Sequence, residues 1–179
     1  MKETPFKQTK PFGCEHYTLA NFFNDERYLK DIIPNAASYH FMLYESLQKY
    51  NPEIFLDSTF LSNRSFDWMP EQMQCNKIFE FLNYDKEVME NLCAAYFMVI
   101  KRNAASLFHA VLVIRPLNED YVYMVDSMRD YIIKIKTEVF YLDYDVIEVC
   151  NFQDKQHTET DIYKPGTTLF NRNQLKHLL

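Results

Sequence analysis

Cys14 is the residue of this sequence best placed for nucleophilic chemistry. It follows Gly13, one of only 2 glycines among 179 residues, and it precedes the apolar run 19–23, which predicts a helix that begins at the cysteine. A thiol at a helix N-terminus faces unpaired backbone N–H groups and the positive end of the helix dipole, and both favour the thiolate. Gly13 has no Cβ, so another backbone can approach it closely. The pattern predicts an activated cysteine.

A histidine and an aspartate that could activate this thiol occur on two consecutive predicted strands. His109 lies in the strand 107–115, and Asp126 ends the strand that begins at residue 121. A hairpin about the loop 116–119 pairs residue 109 with residue 126, which places their Cβ atoms about 5 Å apart on one face. In this arrangement a carboxylate orients an imidazole and fixes its tautomer.

Gln8 could complete the set, because it stands six residues before Cys14. Its side-chain amide and the backbone N–H of Cys14 could both donate to an oxyanion that develops on a substrate carbonyl. Along the sequence, the oxyanion donor, nucleophile, base and orienting carboxylate are then Gln8, Cys14, His109 and Asp126. Each residue also has a structural interpretation that the sequence leaves open: an inert buried thiol, a core histidine, a turn aspartate and a solvated surface glutamine.

The remaining cysteines and histidines give weaker signals. Cys75, Cys93 and Cys150 lie in or near apolar sequence, where a buried cysteine behaves as an inert small hydrophobe. His16 suggests a metal site with Cys14, but positions i and i+2 of a helix point to different faces. The 4 cysteines are widely spaced and form no CxxC pair, which argues against a zinc cage or a disulfide framework. We therefore predict no metal and no cofactor.

The elements that must position these residues change in character near residue 94. Pro5 and Pro11 predict an extended lead-in over residues 1–13. The patterns predict helices at 14–30, 38–50, 70–82 and 85–93, an irregular segment at 55–69, strands at 96–101, 107–115, 121–125, 131–136 and 144–150, and a closing helix at 173–179. We expect a single α+β domain over residues 1–179, with a helical part at about 14–93, a sheet part at about 94–150 and a polar tail at about 151–179.

Composition excludes several classes of partner. A hydrophobic content of 47% argues for a folded chain, and a net charge of −6 argues against binding to a nucleic-acid backbone. No stretch approaches the roughly 18 apolar residues that a membrane span requires. The first residues lack an apolar signal segment, so we expect a cytoplasmic protein with reduced thiols and no membrane association.

The run 8–14, the strand that carries His109 and the strand that ends at Asp126 resemble the papain-like cysteine peptidases. The similarity is greatest to the bacterial double-glycine peptidases that remove bacteriocin leaders, in which a glutamine also precedes the cysteine by six residues. The resemblance implies a papain-like fold, in which a helical part headed by Cys14 packs on an antiparallel sheet. It also implies that His109 is general base and acid and that Gln8 is the oxyanion donor.

This resemblance predicts hydrolysis of a peptide bond in a peptide or protein substrate. The chain departs from the family pattern at Glu15, where the family usually has glycine, and at Ser127, where it often has proline. Two alternatives remain open. A thiol acyltransferase or amidase would use the same chemistry at Cys14, and a catalytically inactive papain-fold module of bacterial or phage origin would keep the residues without the activity. Glu15 favours the inactive module, since a carboxylate beside the thiol opposes thiolate formation.

Overall fold

The computed structural model of the protein describes residues 1–36, 38, 40–60, 90–102, 107–117, 119–154 and 169–179. The helices are α1 (Cys14–Phe23), a 3-10 helix (Glu26–Asp31), α2 (His40–Tyr50) and α3 (Thr137–Asp143). The strands are β1 (Ile54–Phe60), β2 (Leu92–Lys101), β3 (His109–Pro116), β4 (Tyr121–Val125), β5 (Ile133–Lys136), β6 (Asp145–Asp154) and β7 (Leu169–Asn171). The fold is α+β, as the sequence predicts.

The strands form one antiparallel sheet in the order β1-β6-β2-β3-β4-β5, and β7 pairs with the start of β2. Its two faces have separate cores. One face packs against α1, the 3-10 helix and α2 through a cluster that includes Leu19, Phe22, Tyr28, Leu43, Leu47, Phe97, Leu112 and Phe152. The other face packs against α3 through Tyr96, Met98, Val111, Val113, Phe140 and Val146. A central strand with both faces buried is apolar throughout, which explains the run of hydrophobic residues in β3.

The first helix is shorter than the predicted range 14–30. It ends at Phe23, because Asn24 adopts the left-handed conformation (φ 52°) and donates its backbone N–H to the carbonyl of Ala20. Asparagine tolerates this conformation and terminates helices. The side chain of Asp25 then accepts a hydrogen bond from the backbone N–H of Arg27 and caps the separate 3-10 helix.

The boundary between the helical and the sheet part was predicted wrongly. Residues 54–60 form β1 where an irregular segment was expected, and β2 begins at Leu92, inside the predicted helix 85–93. The predicted tail also contributes to the sheet through the end of β6 and through β7, and residues 172–178 form turns where a closing helix was expected. These strands are defined by pairing with distant segments, which local patterns do not encode. The predicted helix 70–82 lies outside the described residues.

The β3–β4 hairpin has a register that differs by two residues from the predicted one. Leu112 pairs with Val125 and Val113 pairs with Met124, so position 126 lies opposite position 111 and not opposite His109. The predicted direct pairing of His109 with Asp126 is therefore wrong. The turn between the strands is centred one residue later in the chain than predicted, which shifts every pair by two residues. A shift of two keeps the same faces, so the two side chains remain diagonal neighbours within reach of each other.

The lead-in lies against the protein over residues 2–8. Its backbone pairs with the segment after β4: the N–H of Thr4 donates to the carbonyl of Asp130, and the N–H of Gln8 donates to that of Ser127 at 2.6 Å. The side chain of Asn21, on α1, both accepts from the N–H of Phe6 and donates to its carbonyl. The lead-in is thus fixed between α1 and the end of β4, beside the candidate site.

In the described part of the chain, no helix has the length and apolar character that crossing a membrane would require.

Candidate active site

The N-terminus of α1 is open at Cys14. Gly13 occupies the N-cap position with φ 103° and offers no side chain to the first N–H groups of the helix. These groups have no acceptor within the helix and point beyond its N-terminal end. The thiol itself is half-buried and accepts a hydrogen bond from the backbone N–H of Ala110, at 3.4 Å from nitrogen to sulfur. Donors to the sulfur stabilise its anionic form.

Gly13 is required by its conformation and by a close contact. A Cβ at this position would lie 2.9 Å from Cδ1 of Ile32, in addition to the strain of a positive φ. We expect Gly13→Ala to lower the free energy of unfolding by about 1–3 kcal/mol, since a left-handed non-glycine residue alone costs about 1–2 kcal/mol. Urea unfolding measures this loss. If the contact contributes, the double variant Gly13→Ala with Ile32→Val recovers part of it, whereas Ile32→Val alone does not stabilise the protein.

His109 and Asp126 are in direct contact. Nε2 of His109 lies 2.6 Å from Oδ1 of Asp126. The same carboxylate accepts the backbone N–H of Met128 at 2.9 Å, and Nε of Arg129 lies 3.6 Å from its other oxygen. Because the carboxylate accepts a hydrogen bond from Nε2–H, Nδ1 is the ring nitrogen left for the hydrogen bond with the side chain of Cys14 that contributes to the pKa of His109. The three side chains therefore form a continuous chain from thiol to carboxylate.

The groups in contact with His109 favour its protonated form. Burial lowers the pKa of His109, but the hydrogen bonds and charges of Asp126 and Cys14 outweigh burial and raise the pKa to about 10. For Asp126, burial alone would raise the pKa. Its contacts with His109, Met128 and Arg129 outweigh burial and hold the pKa below its usual value. An imidazolium between a carboxylate and a thiol stabilises the thiolate.

The effect of Asp126 on His109 can be tested by titration of the imidazole. We expect Asp126→Asn to lower the pKa of His109 from about 10 towards its ordinary value, because the substitution removes the charge and keeps the shape. A pKa raised by folding contributes stability that is complete below about pH 6.5 and is lost as the pH rises through the folded value. The variant should therefore lose less unfolding free energy than the wild type between pH 6.5 and about 10.

NMR titration of the His109 ring protons and urea unfolding at several pH values measure the two effects. Asp130→Asn is the matched control, since Asp130 lies on the same turn but pairs with Lys7. An imidazole that titrates alike in the wild type and in Asp126→Asn would contradict the assigned role of the carboxylate.

Gln8 is buried, and its amide has a defined orientation. One side of the amide faces the backbone carbonyl of Lys10 at 2.7 Å, and the other side faces the hydroxyl of Ser127 at 2.9 Å. A carbonyl only accepts hydrogen bonds, so the nitrogen must face Lys10 and the oxygen must accept from Ser127. Nε2 carries a second proton, which no other described residue accepts. The interpretation of Gln8 as a solvated surface residue is therefore wrong.

Ser127 is the residue of the site that sequence reasoning missed. It follows Asp126 directly, and it binds Gln8 twice, through its hydroxyl and through its backbone carbonyl. The sequence marked it only as a departure from the family pattern. Its contact with a residue 119 positions away could not be predicted from local patterns, although a small hydroxyl beside the aspartate was a visible signal.

Glu15 and His16, the neighbours of Cys14, have separate environments. One carboxylate oxygen of Glu15 is buried without a hydrogen-bond partner among the described residues, so this side chain does not point fully into solvent. The ring of His16 is completely buried between the hydroxyls of Ser38 at 3.0 Å and Ser46 at 3.4 Å. Burial lowers the pKa of His16, and the charge of Asp31 opposes this only in part.

Two of the other thiols, those of Cys93 and Cys150, lie away from this series of contacts. Cys93 and Cys150 are buried, and burial raises the pKa of Cys93 to about 11. Cys75 lies outside the described residues. Within the described ranges, no group of three or more His, Cys, Asp and Glu side chains could hold a metal ion.

The structure brings together the thiol of Cys14, the imidazole of His109 and the carboxylate of Asp126, which are the groups that nucleophilic catalysis by a cysteine requires. The side chain of Gln8 is held by Lys10 and Ser127, and its role as an oxyanion donor stays a prediction. No protein-family model matches the sequence, and a search of curated proteins finds no match.

Proposed function

We propose that the protein is a papain-like cysteine peptidase that hydrolyses a peptide bond through Cys14, His109 and Asp126. The observation that carries this proposal is the continuous contact from the thiol through the imidazole to the carboxylate. These residues come from the start of α1, the start of β3 and the end of β4, and a helix that begins at the cysteine packs against the strand of the histidine. Triads of this kind are recognised by geometry and roles, not by sequence position.

Acylation follows from the protonation state of the resting site. The thiolate of Cys14 attacks the carbonyl carbon of the substrate, and the carbonyl oxygen becomes an oxyanion. Backbone N–H groups at the open end of α1 and the free Nε2–H of Gln8 donate to it. The imidazolium of His109 then gives its proton to the leaving amine as the C–N bond breaks, which leaves a thioester and a neutral imidazole.

Deacylation requires a base, and His109 can act as that base once Cys14 is acylated. Two of the contributions that raise the pKa of His109 come from the side chain of Cys14, and they are lost once the sulfur is esterified. The imidazole, still oriented by Asp126, then takes a proton from water as the water attacks the thioester. The tetrahedral adduct then collapses as its C–S bond breaks, which releases the carboxylic acid and leaves the thiolate beside the imidazolium that holds the proton from water.

A peptide library incubated with the protein tests this proposal. We expect products in the wild type, detected by mass spectrometry, and none with Cys14→Ala or His109→Ala. Cys150→Ala is the matched control for loss of a thiol, since Cys150 lies in β6, outside this chain of contacts, and donates instead to Glu148 at 3.2 Å. Cleavage in ¹⁸O-labelled water distinguishes hydrolysis from transfer to another acceptor, because only hydrolysis places the label in the new carboxyl group of the product.

The inactive-module alternative makes a different prediction for the same samples. It predicts no cleavage of any peptide and no accelerated reaction of Cys14 with an electrophile. Cleavage that persists in Cys14→Ala would equally overturn the proposal.

A further inference from the structure

Asn21 is a polar residue buried among the apolar residues of α1. Its side chain is 0% exposed, and its neighbours Leu19, Ala20 and Phe22 belong to the hydrophobic core. Asparagine is a poor helix former, and a buried amide lowers stability unless it is hydrogen-bonded. An apolar residue would suit this position better on both grounds. The amide of Asn21 is therefore explained by the groups that it binds.

The amide of Asn21 binds the backbone of Phe6 in the lead-in. Its oxygen accepts the N–H of Phe6 at 2.8 Å, and its nitrogen donates to the carbonyl of the same residue at 3.1 Å. Because a backbone N–H only donates and a carbonyl only accepts, the two bonds fix the orientation of the amide. Within the described part of the chain, they are the only hydrogen bonds that join residues 1–8 to α1.

The other side of the lead-in is bound to the segment after β4. The N–H groups of Thr4 and Gln8 donate to the carbonyls of Asp130 and Ser127. Phe6 lies midway between these two residues, at a bend of the chain, and bonds to α1 instead. The lead-in is therefore held from two sides, and Phe6 is the point at which α1 holds it.

The position of Asn21 on α1 relates this contact to the nucleophile. Asn21 follows Cys14 by seven residues, close to two helical turns, so the two lie on the same face of α1, about 10 Å apart along its axis. Gln8 follows Phe6 by two residues, so their Cα atoms are at most about 7 Å apart. The lead-in then continues to Gly13, at the start of the helix. The contact at Asn21 thus sets where the chain that carries Gln8 lies relative to the helix that carries the thiol.

We propose that Asn21 is a positioning residue, which holds Gln8 in place relative to Cys14 through the backbone of Phe6. This inference rests on the proposed peptidase function and on the predicted role of Gln8 as an oxyanion donor. Such a donor acts from about 2.7–3.1 Å, so a shift of the lead-in by about 1 Å along α1 weakens its effect. The side chain of Asn21 is fully buried, and it acts on the reaction only through the position of the donor.

Substitution of Asn21 tests this role. We expect Asn21→Leu to lower kcat by about 10-fold with little change in KM, since the donor acts mainly in the transition state. The loss should not exceed that in Gln8→Ala, because the worst result of displacing a donor is to lose it. Alkylation of Cys14 by iodoacetamide should keep the wild-type rate, which shows that the thiol and the fold around it are intact.

Hydrogen exchange gives a measurement that needs no substrate. The backbone N–H of Gln8, which donates to the carbonyl of Ser127, should exchange faster in Asn21→Leu, because the lead-in is then held from one side only. Asn21→Ser is a second variant, which removes the amide without adding bulk, and it should change kcat and the exchange rate in the same direction.

Thr18→Val is the matched control. Thr18 is 2% exposed and lies on the same face of α1, but its hydroxyl bonds to the carbonyl of Cys14 within the helix and not to the lead-in. The control should therefore keep kcat and the exchange rate of the Gln8 N–H close to those of the wild type.

A double variant separates positioning from a general loss of stability. When Gln8→Ala is already present, Asn21→Leu should lower kcat no further, because no donor is left to position. A further loss there, an unchanged kcat in both Asn21 variants, or an unchanged exchange rate of the Gln8 N–H would overturn the inference and leave the peptidase proposal standing. Absence of any Cys14-dependent cleavage would overturn both.

Discussion

Iodoacetamide at pH 5.5 is expected to alkylate Cys14 about 10²-fold faster than a simple thiol, and the rate should change little up to pH 8.5. A free thiol with a pKa near 8.5 is only about 0.1% ionised at pH 5.5, so its reaction accelerates steeply with pH. His109, whose pKa is raised to about 10, stays protonated throughout this range, and an imidazolium in contact with a thiol favours its reaction with electrophiles. Mass spectrometry of the alkylated peptides gives the rate at each cysteine.

The other cysteines and two variants serve as controls for the alkylation of Cys14. Cys93 and Cys150 are 0% and 2% exposed and should react only after unfolding in urea. His109→Ala should slow alkylation of Cys14 at pH 5.5 by about 10²-fold, since the imidazolium is lost. Glu15→Gln should leave the rate unchanged or raise it, because it removes a negative charge beside the thiol. A Cys14 that reacts as slowly as a simple thiol at every pH would exclude the imidazolium–thiolate pair.

The chain order of the site could be predicted because each member has a local signal. Gly13 before an apolar helical run indicates a cysteine at a helix start, and two runs rich in Val, Ile and Tyr separated by turn residues place His109 and Asp126 on neighbouring strands. The predicted register was two residues in error, since the turn is centred one residue later in the chain than the local pattern suggests. The prediction of proximity survives because a shift of two preserves the face of each side chain.

Other features could not be predicted because they depend on contacts between distant segments. β1 is a strand through its pairing with β6, whose residues lie about 90 positions later in the chain. The role of Ser127 similarly depends on Gln8, and the role of Asn21 depends on Phe6. By contrast, the end of α1 had a local signal in Asn24, since asparagine commonly adopts the left-handed conformation after a helix.

Substitution of Gln8 is expected to have the second large effect. Gln8→Ala should lower kcat by about 10²–10³-fold with little change in KM, because an oxyanion donor acts mainly in the transition state. Gln8→Glu should be no better, since a carboxylate presents acceptors to the oxyanion. The alkylation rate of Cys14 reports on the thiol alone and shows whether the nucleophile remains intact in each variant.

Ser127 provides a sharper test of the same donor, because its hydroxyl holds the oxygen of the Gln8 amide. Ser127→Ala should lower kcat by about 10-fold, since the amide loses its fixed orientation while the donor remains, and Ser127→Thr should restore most of the rate. In Gln8→Ala the serine has nothing left to orient, so the double variant should be no slower than Gln8→Ala alone. Independent effects that multiply in the double variant would show that Ser127 acts on stability or on Asp126, and not through the oxyanion donor.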